Sequence, residues 1–243
     1  MYGWRSTIGF MLPSSCLVYE QEFLRITRDL DGVIGVPARL LITQCDAAGL
    51  VSMNQHIDLA ARQLATCDPD IVVYMCTSGS FMDGDAGEAA ISRRIGEIVG
   101  RPVMTTSRAV LVALRKLKLK RVAMLTPYDQ DLTMREVKWL GAHGIEVIDH
   151  HFLDIPENLD RGGQFPEESF RHARRLRWDD ADGLFLSCAN VRTLEIIEAL
   201  EQHIGKPVVT SSIATTWLAL RSTGVRDTVN GFGRLLKETD DEV

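Results

Sequence analysis

No apolar run in the 243 residues approaches the roughly 20 that a membrane-spanning helix needs. The amino-terminal residues also lack a charged stretch followed by an apolar one and a small-residue cleavage site, so a cytoplasmic protein is expected. Positive charge is in deficit: 27 Lys and Arg stand against 33 Asp and Glu, a formal net charge of -6. That sign disfavours a nucleic-acid partner, which is met by a basic face, and any small anion has to be captured locally. The five cysteines are odd in number, form no Cys-x-x-Cys pair and have no histidine at ligand spacing. Both a disulfide framework and a structural zinc site are therefore disfavoured, and reduced thiols are expected. The His150-His151 pair has no carboxylate or third ligand at suitable spacing, and no metal is assigned.

What is present is an ordinary globular composition, 45% hydrophobic and 25% charged, long enough for one large domain or two small ones. Residues 7–12 read as a strand ended by Pro13, with Ser14 and Ser15 placed to cap a helix over 19–30. Residues 33–43 read as extended, and Pro37 puts them at a bend or a sheet edge. Ser52 leads a helix carrying Ile57, Ala60, Ala61 and Leu64 at helical spacing. A buried strand at 72–76 follows, then helices over 84–99 and 109–117. The second half repeats the plan: strand 121–126, helix 129–143, strand 144–148, helix 165–178, strand 184–188. Gly205-Lys206-Pro207-Val208-Val209-Thr210-Ser211-Ser212 matches residues 100–107 almost position for position, which marks an internal duplication.

Strands alternating with helices predict an α/β fold of two pseudo-symmetric Rossmann-like halves, each a parallel four-stranded sheet flanked by helices. The halves are placed at 1–117 and 118–225, with a last helix over about 226–238 packing on the first. Ligands of such sheets lie beyond the carboxyl ends of the strands, and each half ends a strand in a cysteine: Cys76 before Thr77-Ser78-Gly79-Ser80, and Cys188 before Ala189-Asn190. A site between the halves would set the two thiols across a cleft. Hydroxyls and N–H groups of Thr77 and Ser78 at a helix start suit a carboxylate or enolate-like oxygen, and Ala189 and Asn190 repeat the arrangement. The same helix end is expected to lower a thiol's pKa, giving nucleophilic or proton-transfer chemistry without a cofactor. A single cysteine at a strand end is more often inert core; two in duplicated places argue for function. Cys16, Cys45 and Cys67 have no second cue and are read as structural or incidental.

Gly9-Phe10-Met11-Leu12-Pro13-Ser14-Ser15, Cys76-Thr77-Ser78-Gly79-Ser80, Thr126-Pro127-Tyr128, Ile155-Pro156-Glu157-Asn158 and Ser187-Cys188-Ala189-Asn190 resemble a known family nearly end to end. It is that of the maleate cis-trans isomerases and arylmalonate decarboxylases of the aspartate/glutamate racemase superfamily, which includes the isomerase-like protein of ectoine utilisation. The resemblance implies a cofactor-independent isomerase or racemase of a small carboxylic acid or dicarboxylate, with Cys76 as nucleophile or base and Cys188 as acid/base. It further implies that Tyr128 hydrogen-bonds a substrate carboxylate, that Asn158 lines the same pocket, and that Pro13, Ser14, Thr77, Ser78, Ala189 and Asn190 complete it. A homo-oligomer, dimer or tetramer, is expected. The decarboxylases keep only the cysteine matching Cys188, with glycine at the position of Cys76, so two cysteines favour an isomerase or racemase. The alternatives are a decarboxylase relying on Cys188 alone and a non-catalytic carboxylate-binding protein. Cys16 stands where maleate isomerases carry asparagine. A thiol is a weaker donor than an amide, so a second carboxylate is held differently or is absent.

Overall fold

The computed structural model describes residues 2–42 and 46–239; Cys45 lies outside them. The first half runs β1 (Ser6–Pro13), α1 (Val18–Ile26), β2 (Val33–Leu40), α2 (Ala47–Met53), α3 (Ile57–Ala65) and β3 (Ile71–Tyr74), then α4 (Thr77–Phe81), α5 (Gly84–Val99), β4 (Val103–Thr105) and α6 (Thr106–Lys116). The second runs β5 (Arg121–Thr126), α7 (Gln130–Ala142), β6 (Glu146–Phe152), α8 (Asn158–Gly163), α9 (Pro166–Ala173), β7 (Gly183–Leu186), α10 (Ile197–Ile204), β8 (Val208–Thr210) and α11 (Ser211–Ser222). The strands form two four-stranded sheets ordered β2-β1-β3-β4 and β6-β5-β7-β8, parallel throughout. One strand order occurring twice is the duplication in three dimensions. Among the described residues, no helix is long and apolar enough to cross a membrane.

Local chemistry accounts for most elements. Strands β3 and β7 lie inside their sheets and are buried at every position, which is why they read as unbroken apolar runs. Strand β2 is an edge, where Pro37 and its missing N–H are tolerated. Thr105 and Thr210 cap α6 and α11 in matching fashion, each side chain accepting an N–H at 3.2 Å, from Arg108 and Ile213. These two helices pack on each other; α6 also contacts β4 and β8, and α11 contacts β3 and β8. The pair is thereby shared by both sheets, and one apolar core runs from Phe10 and Val73 through Ala109 and Trp217 to Val122 and Phe185.

Several boundaries differ from the sequence reading. Helix α1 is not capped by Ser14 or Ser15; its Leu17 and Val18 N–H groups donate to Asn190 Oδ1 at 2.9 and 3.2 Å, from the other half. Ser52 lies inside α2, which Asp46 caps through the Gly49 N–H at 2.8 Å. Strand β6 continues to Phe152 and takes in both His150 and His151. The helix expected over 226–238 is not formed: only Leu235–Lys237 makes a 3-10 turn. The buried Arg221 guanidinium draws the carbonyls of Val225, Asp227, Leu236 and Glu238 toward itself, and Gly231 and Gly233 take φ of 93° and 86°, outside the helical region. This segment packs chiefly on the second half, with Trp217 Nε1 donating to Glu238 O at 2.9 Å and the Arg234 N–H to Glu201 Oε1 at 3.1 Å. Its Asp227 carboxylate pairs with Arg5 ahead of β1.

Candidate active site

Cys76 leaves β3 with extended backbone at φ -144° and stands at the N-cap of α4, where the Gly79 N–H donates to its Sγ at 3.4 Å. A side chain on Gly79 would put Cβ 2.8 Å from Tyr74 Oη and 3.0 Å from Cys76 Sγ, so glycine leaves the thiol its room. Cys188 leaves β7 differently. No helix opens at Ala189 and Asn190 as the duplication predicted; α10 begins only at Ile197. Cys188 instead takes left-handed backbone at φ 83°, with its N–H on Ser211 Oγ at 3.1 Å and its Sγ accepting the Asn190 N–H at 3.4 Å. That conformation costs a non-glycine residue about 1–2 kcal/mol, the kind of strain that collects at functional positions.

Both thiols border one cavity, walled by Pro13, Ile42, Leu50 and Met75 on its apolar side. Its free space is about 20 Å³, room for a single water. A far larger cleft of about 540 Å³ beside His151, Asp160, Glu168 and His172 holds neither cysteine. Chemistry rather than size marks the site. Of the residues named from sequence, Pro13, Thr77, Ser78, Tyr128, Asn158, Ala189 and Asn190 line this cavity. Ser14 does not; its hydroxyl accepts the Ile42 N–H at 3.1 Å beyond the end of β2. The Thr77 hydroxyl is buried without a hydrogen-bond partner, whereas buried polar atoms are nearly always paired. The Asn190 side chain is fully occupied: Oδ1 holds the start of α1, and Nδ2 donates to Asn158 O at 2.6 Å and Ser15 O at 3.4 Å. It joins the halves rather than facing a ligand. Asn158 Nδ2 donates to Ser15 Oγ at 2.8 Å, a second bridge.

Two participants escaped the sequence reading, and a third had been placed only through the resemblance. Cys16, without a cue of its own but standing where maleate isomerases carry asparagine, borders the cavity with its Sγ 4.0 Å from Ala189 O. Arg161 also borders it, one turn beyond Asn158 on α8 and so on the same helix face, with its guanidinium over the Tyr128 ring at 5.2 Å. Glu136 lies behind the site, its Oε1 accepting from Ser187 Oγ at 2.8 Å, and Ser187 Oγ is 3.4 Å from the Tyr128 hydroxyl. Its signal was periodicity: Leu132, Glu136 and Leu140 form the buried stripe of α7, a glutamate among leucines.

Burial governs the titrations. It pushes the Cys76 thiol up to about 11, against the Gly79 N–H and Ser78, which favour the thiolate. The expected lowering by a helix start is outweighed, because desolvation of a buried anion exceeds one weak N–H···S bond. Cys16 rises to about 12 for the same reason. Cys188 is raised by burial too, offset by the Arg161 charge, the Asn190 N–H and the Tyr128 hydroxyl. Each thiolate also disfavours the others, since the charges of Cys188 and Cys16 both act on Cys76.

The arylmalonate decarboxylase family model matches residues 36–236. The chain belongs to that family. A relative within it, the arylmalonate decarboxylase of Bordetella bronchiseptica, is 31% identical and covers 96% of this chain and 97% of its own length. Among solved structures, the maleate isomerase Iso of Pseudomonas putida S16, a cysteine-to-alanine variant with maleate, superposes with a TM-score of 0.92 at 26% identity, covering 98% of this chain and 99% of that one. The Nocardia farcinica maleate cis-trans isomerase, a cysteine-to-serine mutant holding a covalently bound succinylcysteine intermediate, superposes with a TM-score of 0.91 at 25% identity over 96% of this chain and 98% of that one. With maleate isomerases matching along nearly its whole length, this family member is an isomerase.

Proposed function

We propose that the protein interconverts the geometric isomers of a small unsaturated carboxylic acid, of the maleate kind, with Cys76 as nucleophile and Cys188 as acid/base and with no cofactor. The observation that carries this reading is the meeting of both thiols on one narrow cavity. The cycle begins with Cys76 as thiolate and Cys188 as thiol. Cys76 Sγ adds to one alkene carbon; the π electrons move to the neighbouring carbon, stabilised as an enediolate by its carboxylate, and that carbon takes the Cys188 proton. The product is a succinyl thioether whose central carbon–carbon bond is single and free to rotate. Cys188 then removes the proton, the C–S bond breaks, and the double bond re-forms in the trans geometry. The succinylcysteine held by the Nocardia farcinica isomerase is the adduct this sequence of steps produces.

The unpartnered Thr77 hydroxyl, with Ser78 and Tyr128, supplies donors for a substrate carboxylate. Since the free space holds one water, substrate admission opens the cavity and reclosure shields the reacting carbon. The test is proton NMR of the reduced protein in deuterium oxide with maleate, aspartate, glutamate, hydantoin and phenylmalonate, repeated with Cys76→Ala and Cys188→Ala. Conversion of cis to trans alkene that both substitutions abolish is the expected result. Loss of carbon dioxide from phenylmalonate that survives Cys76→Ala would overturn it in favour of decarboxylation.

A further inference from the structure

Two buried arginines of this protein are used in different ways. Arg221, 2% exposed, engages every nitrogen on backbone carbonyls: Nε on Glu238 at 2.9 Å, Nη1 on Val225 at 2.7 Å, and Nη2 on Asp227 at 3.1 Å and Leu236 at 3.4 Å. That is a structural arginine, holding an irregular carboxyl-terminal segment in place. Arg161, 4% exposed, engages only Nε, on Ile155 O at 2.7 Å, and Nη2, on Pro156 O at 3.3 Å. Among the described residues its Nη1 makes no hydrogen bond and no carboxylate pairs with the guanidinium. An arginine does not shed its charge, and a buried charge without a counter-ion is costly. This one borders the cavity that Cys76 and Cys188 share.

We infer that Arg161 is a specificity-determining residue whose guanidinium receives the second carboxylate of a dianionic substrate, completing an ion pair that the folded protein leaves open. This inference rests on the proposed carboxylate chemistry at the two thiols and adds to it the residue that holds the carboxylate remote from Cys76. The position of Cys16 supports it. Cys16, a weak thiol donor, borders the same cavity, and the charge of Arg161 supplies there a planar fork suited to a carboxylate. The pairing also acts on the chemistry. In the empty cavity the Arg161 charge favours the Cys188 thiolate; a bound carboxylate offsets that charge and lets Cys188 keep the proton it has to deliver.

The test separates binding from turnover. Isothermal titration calorimetry of the full chain with succinate, a saturated diacid that cannot isomerise, and with butyrate, a monoacid of the same chain length, is carried out on the native protein, R161M and R161K, with thermal melts to establish folding. The native protein is expected to favour succinate by tenfold or more; R161M is expected to lose that preference while its butyrate affinity stays within about twofold, and R161K to keep part of it. On the native protein, succinate but not butyrate is expected to protect Arg161 from phenylglyoxal, mapped by mass spectrometry, a readout that needs no variant to fold. An undiminished succinate preference in R161M, an equal loss of both acids, or equal protection by both would each overturn the inference. If the preference depends on Arg161 while no unsaturated diacid is converted, the inference stands and the isomerase mechanism fails. If maleate is isomerised and R161M leaves KM unchanged, the mechanism stands and the inference fails.

Discussion

Replacing Glu136 with glutamine makes a buried carboxyl speak through stability. Glu136 on α7 is 0% exposed; Oε1 accepts from Ser187 at 2.8 Å and Oε2 has no partner. Burial lifts its pKa from 4.5 to about 8. A carboxyl raised on folding keeps its proton in the native state at pH values where the unfolded chain has lost it. The native state therefore binds more protons between pH 4.5 and 8, and stability falls as pH rises through that window, by about 1.4 kcal/mol per unit. The loss totals roughly 4–5 kcal/mol and levels off above pH 8. The amide of Glu136→Gln has the shape of the protonated acid, accepts the same Ser187 bond and does not titrate. Urea unfolding of both proteins from pH 5 to 9 is expected to give stabilities within ~1 kcal/mol of each other at pH 5 and a variant more stable by ~3–4 kcal/mol at pH 8.5. Parallel decline of the two proteins across that range would refute the reasoning, because it would mean that Glu136 is ionised throughout.

Cys188→Gly and Cys188→Ala are both expected to abolish turnover, but the glycine variant is expected to be up to about 1 kcal/mol more stable because φ of 83° suits it; equal urea midpoints would remove the argument for strain. Asn190→Ala strips the acceptor from Leu17 and Val18 and the donor from Ser15 O across the halves and from Asn158 O within its own, a loss of about 2–3 kcal/mol in denaturant titrations. A change under ~0.5 kcal/mol would show the bridge to be dispensable. Iodoacetamide is expected to label exposed Cys67 first. Labelling of Cys76 should climb about tenfold per pH unit from 7 to 10, since its thiol titrates near 11. A plateau by pH 8, followed by mass spectrometry, would show that the thiolate is already formed there.

The sequence carried the sheets and both thiols because these depend on short-range pattern. Apolar runs such as 71–74 and 183–186 are long enough to declare strands, and the repeated Gly-x-Pro-Val-x-Thr segment declares the duplication. What stayed hidden depended on partners far along the chain. The cap of α1 is Asn190; the disposition of Ser14 is set by Ile42; the irregular path of 226–238 is set by Arg221. The equivalence of the two cysteines was overdrawn for a related reason. A matching strand end predicts where a thiol lies but not its φ, and Cys188 adopts a backbone that Cys76 does not. Arg161 was overlooked because no helix is expected over 158–163, where an arginine in a short polar stretch reads as solvated; only the cavity shows it to be buried.

The long reach of Asn190 bears on how the protein is made. Residues 18–26 leave a ribosome about 173 residues ahead of the side chain that caps them, an interval on the order of ten seconds at ordinary elongation rates. Glu22 likewise waits for the N–H groups of Thr193 and Leu194. Throughout that interval the nascent first half carries a helix with open donors, its Tyr19 and Phe23 face lacking the α11 surface that later covers it. The loop bearing Ser15 and Cys16, between β1 and α1, lacks these bonds until residue 190 arrives. The active site is thus among the last parts of the chain to set, since a chain interrupted before residue 190 lacks both the cap of α1 and part of the cavity wall.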